Sequence, residues 1–379
     1  MAVLLVDGNH FFNRSLFTSV KYAKTSSKYL STESEQVEFV KKVLTDIFSK
    51  VKILKPEGII FTFDSKSWRK DLTKFNPDVS EIILNKLDFS YKSEREESTE
   101  IDYKSFYSLI DEVGKILSDK GILVLKKQGL EGDDLCYLTA NKLLLDGKDC
   151  IIMTSDGDMR GLSRYTSTNY CVIINPTVKD KSIFVPINFI NWLKERDSKE
   201  DIFDFNLTTN PLLTFNHNEI VEIEPLNFIF LKIFLGKSNE SVPSIYSWKN
   251  SKNGNLNLTD RIVNLLYNKL IETIPTFKIE DLEDPIIRKN ISIELYKIIH
   301  KPKDDIPLDI IDTMSDKILV NYYMKTLSDR TLPSNYVKEF STINLSTSSM
   351  KNGVDYILEN TRFSKPNTTS SDLFSLLDL

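Results

Sequence analysis

Four short apolar runs, each followed by acid and each separated from the next by a helical segment, constrain this chain more than any other feature. They are Val3–Val6, Ile59–Phe63, Ile122–Leu125 and Cys150–Ser155, rich in β-branched and aromatic residues in the manner of buried strands. Between them, apolar residues recur at Val37, Val40, Val43 or Leu44, Ile47 and Val51, and again at Phe106, Leu109, Ile110, Val113, Ile116 and Leu117, which is helical spacing. Strands that alternate with helices pair in parallel through helical crossovers. A parallel sheet brings the carboxyl ends of its strands to one edge, where open α/β sheets bind ligands. At or shortly after those ends stand Asp7, Asp64, the trio Glu131, Asp133 and Asp134, and the pair Asp156 and Asp158.

Seven carboxylates in one crevice repel one another and raise their pKa values unless cations join them. Mg²⁺ favours one or two protein carboxylates with water and phosphate oxygens, and two divalent ions ~4 Å apart serve phosphodiester chemistry. Taken singly, each acid has a plainer explanation. Asp156-Gly157-Asp158 is also a surface turn, and acids at the start of a helix gain about 0.3–1 kcal/mol from its dipole. Repetition at four strand ends is what favours a metal site.

The formal charge of −5 argues against a generic electrostatic DNA binder, although a metal-binding acid cluster lowers the total while basic residues stand elsewhere. They do so in Lys66-Ser-Trp-Arg-Lys70 and Tyr91-Lys-Ser-Glu-Arg95, where interleaved aromatics suit a phosphate backbone with an exposed base; a solvated amphipathic helix is the alternative. Leu72–Ser90 reads as an inserted excursion. Cys136, Cys150 and Cys171 form an odd set without metal-ligand spacing, as expected of buried thiols in a reduced cytoplasm. No apolar run approaches the ~18 residues that span a bilayer, and Ala2–Val6 lacks the charged flank of a signal peptide. No membrane association is expected.

Beyond the fourth run, Tyr170–Ile174 and Ser182–Val185 read as a hairpin, Asn188–Arg196 as a short helix, and residues 197–224 as an irregular insertion. Pro225–Leu235 is an apolar helix, and the loop Gly236–Pro243 leads into a further helical stretch. Helices around such a loop can aim backbone amides at phosphate. Arg261–Ile271, Ile291–Ile299 and Asp309–Leu327 are further helices. From Phe340 the chain is rich in Ser, Thr and Asn, the composition of a flexible tail. Near its end, Leu373, Phe374, Leu376 and Leu377 either dock in a partner's groove or fold back on the chain. His10, His217 and His300 do not cluster, and His10 is expected to be a helix or loop residue rather than a ligand.

In order and approximate spacing, Val6-Asp-Gly-Asn-His-Phe-Phe-Asn-Arg14, Phe63-Asp64, Trp68-Arg-Lys-Asp71, Tyr91-Lys-Ser-Glu-Arg-Glu-Glu-Ser98, Glu131-Gly-Asp-Asp134 and Ser155-Asp-Gly-Asp158 resemble the 5′-nuclease (flap endonuclease) family, most closely its T-even-type phage RNase H branch. The resemblance covers roughly residues 1–175. Downstream, Phe234–Pro243 is similar to the loop with which that family grips duplex DNA, and Ser315–Tyr323 is a fainter match. The resemblance implies an α/β fold: a PIN-like 5′-nuclease core over residues 1–196 with a mostly parallel sheet flanked by helices, and an arch at about 66–100. It further implies an irregular insertion at 197–224, a helical duplex-binding region at 225–340 and a tail at 341–379 ending in a docking motif.

By the same resemblance, Asp7, Asp64, Glu131, Asp133 and Asp156 surround a first Mg²⁺. Asp134 and Asp158 help position a second, with Glu240 as a further carboxylate and Mn²⁺ as a substitute ion. Lys92 and Arg95 stabilise charge on the scissile phosphate. Arg14, Arg69 and Lys70 contact the nucleic acid, the last two guiding a single-stranded 5′ end, and Gly236, Lys237 and Ser238 contact the duplex. The family's Gly-Asp…Asp-Asn becomes Gly236-Lys237…Glu240-Ser241, so Lys237 reverses a charge. The implied protein is a monomeric 5′→3′ exonuclease and flap endonuclease with RNase H-like activity, removing RNA primers or 5′ flaps in phage-type replication by two-metal-ion hydrolysis. It works in the cytoplasm (the host's, if phage-encoded) on flapped DNA or RNA–DNA hybrid, with a sliding clamp and a single-stranded-DNA-binding protein as partners. Two alternatives are a PIN-type ribonuclease, against which the basic arch and helical region argue, and a non-catalytic DNA-junction binder, whose expected loss of core acids is not seen.

Overall fold

A computed structural model describes residues 2–21, 28–74, 76–87, 98–177, 182–198, 219–236, 242–250, 254–302, 306–345 and 347–360. The chain opens with β1 (Val3–Asp7), buried along its whole length, then α1 (Gly8–Val20), α2 (Glu33–Leu54) and β2 (Gly58–Phe63). A 3-10 turn and α3 (Pro77–Asn85) follow. Next come α4 (Tyr103–Asp119), β3 (Leu123–Lys126), α5 (Gly132–Leu145) and β4 (Cys150–Met153). The sheet is completed by β5 (Arg164–Tyr165), β6 (Tyr170–Ile174) and β7 (Ser182–Pro186), then α6 (Phe189–Ser198) and β8 (Glu219–Ile223). Downstream lie α7 (Pro225–Leu235), a β9–β10 hairpin (Ser247–Asn250 and Gly254–Asn257), α8 (Asp260–Thr273), α9 (Pro285–His300), α10 (Leu308–Lys325), α11 (Ser334–Thr342) and α12 (Thr347–Asn360).

These elements form two units. One comprises Met1–Lys66, Glu96–Ile223 and Glu339–Leu379, the other Ser67–Arg95 and Glu224–Lys338. The sheet of the first unit runs β3-β2-β1-β4-β6-β7-β8, with β5 beside β6. The pairs β2–β3, β1–β2, β1–β4 and β4–β6 are parallel, and β6–β7 is the expected antiparallel hairpin. Val6 lies opposite both Phe61 and Met153, so the three central strands deliver their carboxyl ends side by side. An α/β fold with a mostly parallel sheet flanked by helices is what the alternation predicted.

Local chemistry fixes the flanking helices. Thr32 and Glu35 close a capping box at the start of α2, satisfying two amide donors reciprocally. One face of α2 is buried from Phe39 to Leu54. Phe12, Phe39, Phe63 and Phe106 then meet edge to face at 5.9–6.2 Å, tying α1, α2, α4 and β2 into one core.

Three stretches differ from expectation. The insertion at 197–224 ends in β8, which pairs in parallel with β7; its Val221 and Ile223 are half-buried while Ile220 and Glu222 face out, an alternation too short to stand out beside its polar surroundings. Within the tail, α12 is ordered on the sheet, because Met350, Val354 and Ile357 form a buried stripe in otherwise polar sequence. Backbone contact there is close: a Cβ on Gly58 would lie 2.7 Å from Met350 Cβ, and one on Gly353 would lie 2.9 Å from the Ile59 side chain. Finally, the loop after α7 leads into the β9–β10 hairpin rather than a helix. Leu373, Phe374, Leu376 and Leu377 lie outside the described residues.

Candidate metal centre

β1 runs directly into α1, and Asp7 is both the last strand residue and the helix cap. Its Oδ1 accepts the His10 N–H at 3.1 Å, and its Oδ2 accepts the Thr154 hydroxyl, just beyond β4, at 2.9 Å. Asp7 is 6% exposed. Burial first, and the neighbouring Asp156 charge second, push its carboxyl up to about 7 against the lowering pull of those two hydrogen bonds. Among the described residues, the groups that shift it include no cation. A buried carboxylate beside another carboxylate ionises fully only when positive charge is supplied.

Asp64 arrives from β2. Its N–H donates to Asn9 Oδ1 at 2.8 Å, and its Oδ1 accepts the N–H of Gly132, the first residue of α5, at 2.6 Å. Glycine leaves room there: a Cβ on Gly132 would lie 2.9 Å from Asp64 Oδ1 and 3.6 Å from Asp7 Oδ1, so the Asp64 carboxylate would have to shift. Two strand ends and a helix N-terminus therefore close on one point.

The helix brings three more acids. It starts at Gly132, which makes Glu131 the cap and puts Asp133 and Asp134 in the first turn. Glu131 N–H donates to Asp134 Oδ2 at 3.0 Å, and Asp134 N–H to Asp133 Oδ1 at 2.7 Å. One carboxylate oxygen from each of Glu131, Asp133 and Asp134 lies within 4.8 Å of the others. The dipole favours these charges only modestly, yet Asp134 is wholly buried.

Asp156 and Asp158 follow β4. Asp156 N–H donates to Thr154 Oγ1 at 3.0 Å, and Asp156 Oδ1 accepts the Asp158 N–H at 3.0 Å. Thr154 therefore links the two acids, donating its hydroxyl to Asp7 while accepting from the Asp156 backbone. Sequence reading missed it; its one signal is its place two residues before Asp156, the spacing that shares a face in extended chain. His10 lies on α1, as a helix or loop residue was expected to, and its Nε2, 2.6 Å from Ser155 Oγ, ties that helix to the same loop. Beneath the acids, Cys136 is buried against the Thr62 hydroxyl at 3.2 Å; burial, with the Asp7 charge second, pushes its thiol up, so it offers no thiolate.

The donors are oxygens of carboxylates, the set preferred by hard divalent cations. Other predicted residues fall elsewhere. Arg14 is half-buried on α1, one turn beyond His10. Arg69 and Lys70 belong to the second unit, where Lys70 is exposed but Arg69 is only 3% exposed, its guanidinium carbon 4.9 Å from the centre of the Trp68 ring. Gly236 caps α7 with φ +67°, and a Cβ on it would meet Val242 O at 2.5 Å, so the loop needs glycine for its own turn. Lys92, Arg95, Lys237, Ser238 and Glu240 lie outside the described residues.

Residues 2–186 match the family described as 5′-3′ exonuclease, N-terminal resolvase-like domain. This segment belongs to the 5′-3′ exonuclease family. Similar to the chain are the 5′-3′ exonucleases of Buchnera aphidicola subsp. Acyrthosiphon pisum (strain APS), 25% identical over 196 residues, and of Buchnera aphidicola subsp. Schizaphis graminum (strain Sg), 24% identical over 244 residues. These alignments cover 50% and 64% of this chain, and it spans 60% and 65% of the length of those exonucleases. Among solved structures, the T5 D15 protein co-crystallized with metal ions aligns at TM-score 0.47 and 13% identity, over 96% of this chain and 99% of that one. Among the described residues no helix is long and apolar enough to cross a membrane. The acid cluster lies wholly within the exonuclease-family segment.

Proposed function

We propose that this chain is a divalent-metal-dependent phosphodiesterase that acts from free 5′ ends, as a 5′→3′ exonuclease and flap endonuclease. The observation that carries the reading is the meeting of Asp7, Asp64 and Gly132 at the ends of adjacent parallel strands, with Asp156 close enough to raise the Asp7 pKa. Asp7, Asp64, Glu131, Asp133 and Asp156 would hold one ion; Asp134 and Asp158, with Glu240, would serve a second. Mg²⁺ is the proposed ion and Mn²⁺ its substitute. When bound, two such ions stabilise the attacking and leaving oxygens of an in-line displacement at phosphorus.

The chain's own part is positioning. Thr154 fixes one Asp7 oxygen and the Asp156 backbone together, while Asn9 and Gly132 hold Asp64 in place. The dry floor of Thr62 and Cys136 strengthens every charge interaction above it. Lys92 and Arg95 would meet the charge that builds on the scissile phosphate, and Arg14 and Lys70 would meet the backbone of the substrate. The proposed substrates are 5′-flapped DNA and RNA–DNA hybrid, as in primer removal during phage-type replication. A monomer in the cytoplasm would work with a single-stranded-DNA-binding protein and reach a sliding clamp through Leu373–Leu377.

The test is cleavage of 5′-labelled flap, nicked, RNA-primed and blunt substrates with and without Mg²⁺, using the unmutated chain and the double variant D156N/D158N. Cleavage should need the ion and vanish in the variant, while flap binding in EDTA persists. Cleavage confined to single-stranded RNA would favour the PIN-type ribonuclease, and metal-independent binding without cleavage by the unmutated chain would favour a junction binder.

A further inference from the structure

The second unit carries four aromatic rings that the metal centre does not use. Tyr246, just before β9, and Trp248 within it lie 5.9 Å apart and 16° from parallel. From α9, Tyr296 and His300, one turn apart and on one face, lie 4.4 Å apart. The two pairs meet: the His300 ring is 5.7 Å from that of Tyr246 and 6.3 Å from that of Trp248, and the Tyr246 hydroxyl is 2.9 Å from His300 Nε2. A cluster that served only to pin the hairpin to the helix would be buried. Here Tyr246, Trp248 and Tyr296 keep part of their surface in solvent and His300 is exposed.

The charges around the rings select a partner. Lys297 and Lys301 flank His300 and are both exposed. Glu294, the one acid of α9, is shared between Lys297, at 2.9 Å, and Lys269 of α8, so that among the described residues of this patch the lysines outnumber the carboxylates. Stacked, half-exposed rings bordered by lysines match an unpaired base with its phosphate. An apolar protein partner would gain nothing from those lysines.

We propose that Tyr246, Trp248, Tyr296 and His300 form a stacking platform for unpaired nucleobases of single-stranded nucleic acid, with Lys297 and Lys301 contacting the flanking phosphates. The biological use of the platform rests on the reading of the chain as a nucleic-acid enzyme. Its binding is measured in EDTA, where the metal centre does not cleave, so failure of either claim is read separately.

The test follows the anisotropy of a labelled oligo(dT) of about 12 nucleotides with the full chain and its variants. W248A and H300A should each weaken binding about tenfold, or about 1.4 kcal/mol, and W248F should restore most of it because a ring face remains. The double variant K297Q/K301Q should lower the slope of log Kd against log salt by about 1.4, the value for two phosphate contacts on a single strand. An abasic chain of the same length should bind the unmutated protein about tenfold more weakly than oligo(dT). Since W248A can loosen the hairpin, its melting is compared with that of H300A, which alters an exposed side chain. The proposal is overturned if H300A binds oligo(dT) as the unmutated chain does, the result for a protein-docking surface, or if the abasic chain binds equally well.

Discussion

Both units of the molecule bury charged side chains, and two of these, Arg288 and Asp7, are treated in opposite ways. In the second unit, Arg288 near the start of α9 is 6% exposed, and its Nη1 donates to the carbonyls of Leu282 at 2.8 Å and Glu283 at 2.7 Å. In the first unit Asp7 is buried to the same degree, yet among the described residues the charge that shifts it is that of another carboxylate, Asp156. A charge kept for folding is satisfied by backbone a few residues away. On the proposed reading, a charge kept for a ligand is left wanting a cation and held in place regardless. The contrast separates a structural ion from a functional one without reference to sequence similarity.

The variant D7N tests that contrast most severely. Its Mg²⁺-dependent cleavage of a 5′ flap should fall about a thousandfold, the scale of losing a group placed to stabilise charge in a transition state, while the metal-free protein keeps its fold. An unchanged rate in single-turnover assays would remove Asp7 from the chemistry. Next in size is the pH dependence of metal-free stability, read from denaturant unfolding in EDTA. The unfolded chain releases the Asp7 proton near 3.8, whereas the folded chain holds it to about 7. This contribution is therefore fully present below about pH 4, declines as pH rises, and is lost above about pH 7. It amounts to about 4 kcal/mol. Mg²⁺ at pH 8 should restore stability, and D7N should abolish the slope.

Arg288 supplies the contrary case. R288M should cost about 2–3 kcal/mol by leaving buried carbonyls without a donor, equally at pH 5 and pH 8 and equally with or without Mg²⁺. A pH-dependent cost in the same unfolding assay would erase the distinction between the two charges. The smallest expected effect belongs to T154V. Losing that hydroxyl should cost about 1 kcal/mol, move the midpoint of the metal-free pH slope upward because one lowering hydrogen bond to Asp7 is gone, and weaken Mg²⁺ binding severalfold in a melting-temperature titration.

Much of the acid site could be read beforehand, because parallel topology converts spacing along the chain into proximity. Asp7, Asp64 and Asp156 each end an apolar run, and a parallel sheet leaves them one edge to share. The groups that hold these acids were not legible. Thr154 and His10 act on partners 147 and 145 residues away, a distance at which no periodicity speaks. Burial of Arg69 against Trp68 was hidden for a related reason, since a basic aromatic stretch looks the same whether its rings face solvent or a neighbouring helix. Short elements also escaped: the β9–β10 hairpin has Tyr246 and Trp248 as signals, but a strand of four residues offers little alternation to count.

The position of α12 bears on how the protein is made. Residues of α12 cover Gly58, Ile59 and Ile122, so a growing polypeptide carries an uncovered oily face until α12 has left the ribosome. Chains cut short by premature termination before Thr347 are consequently prone to clump or to be captured by chaperones.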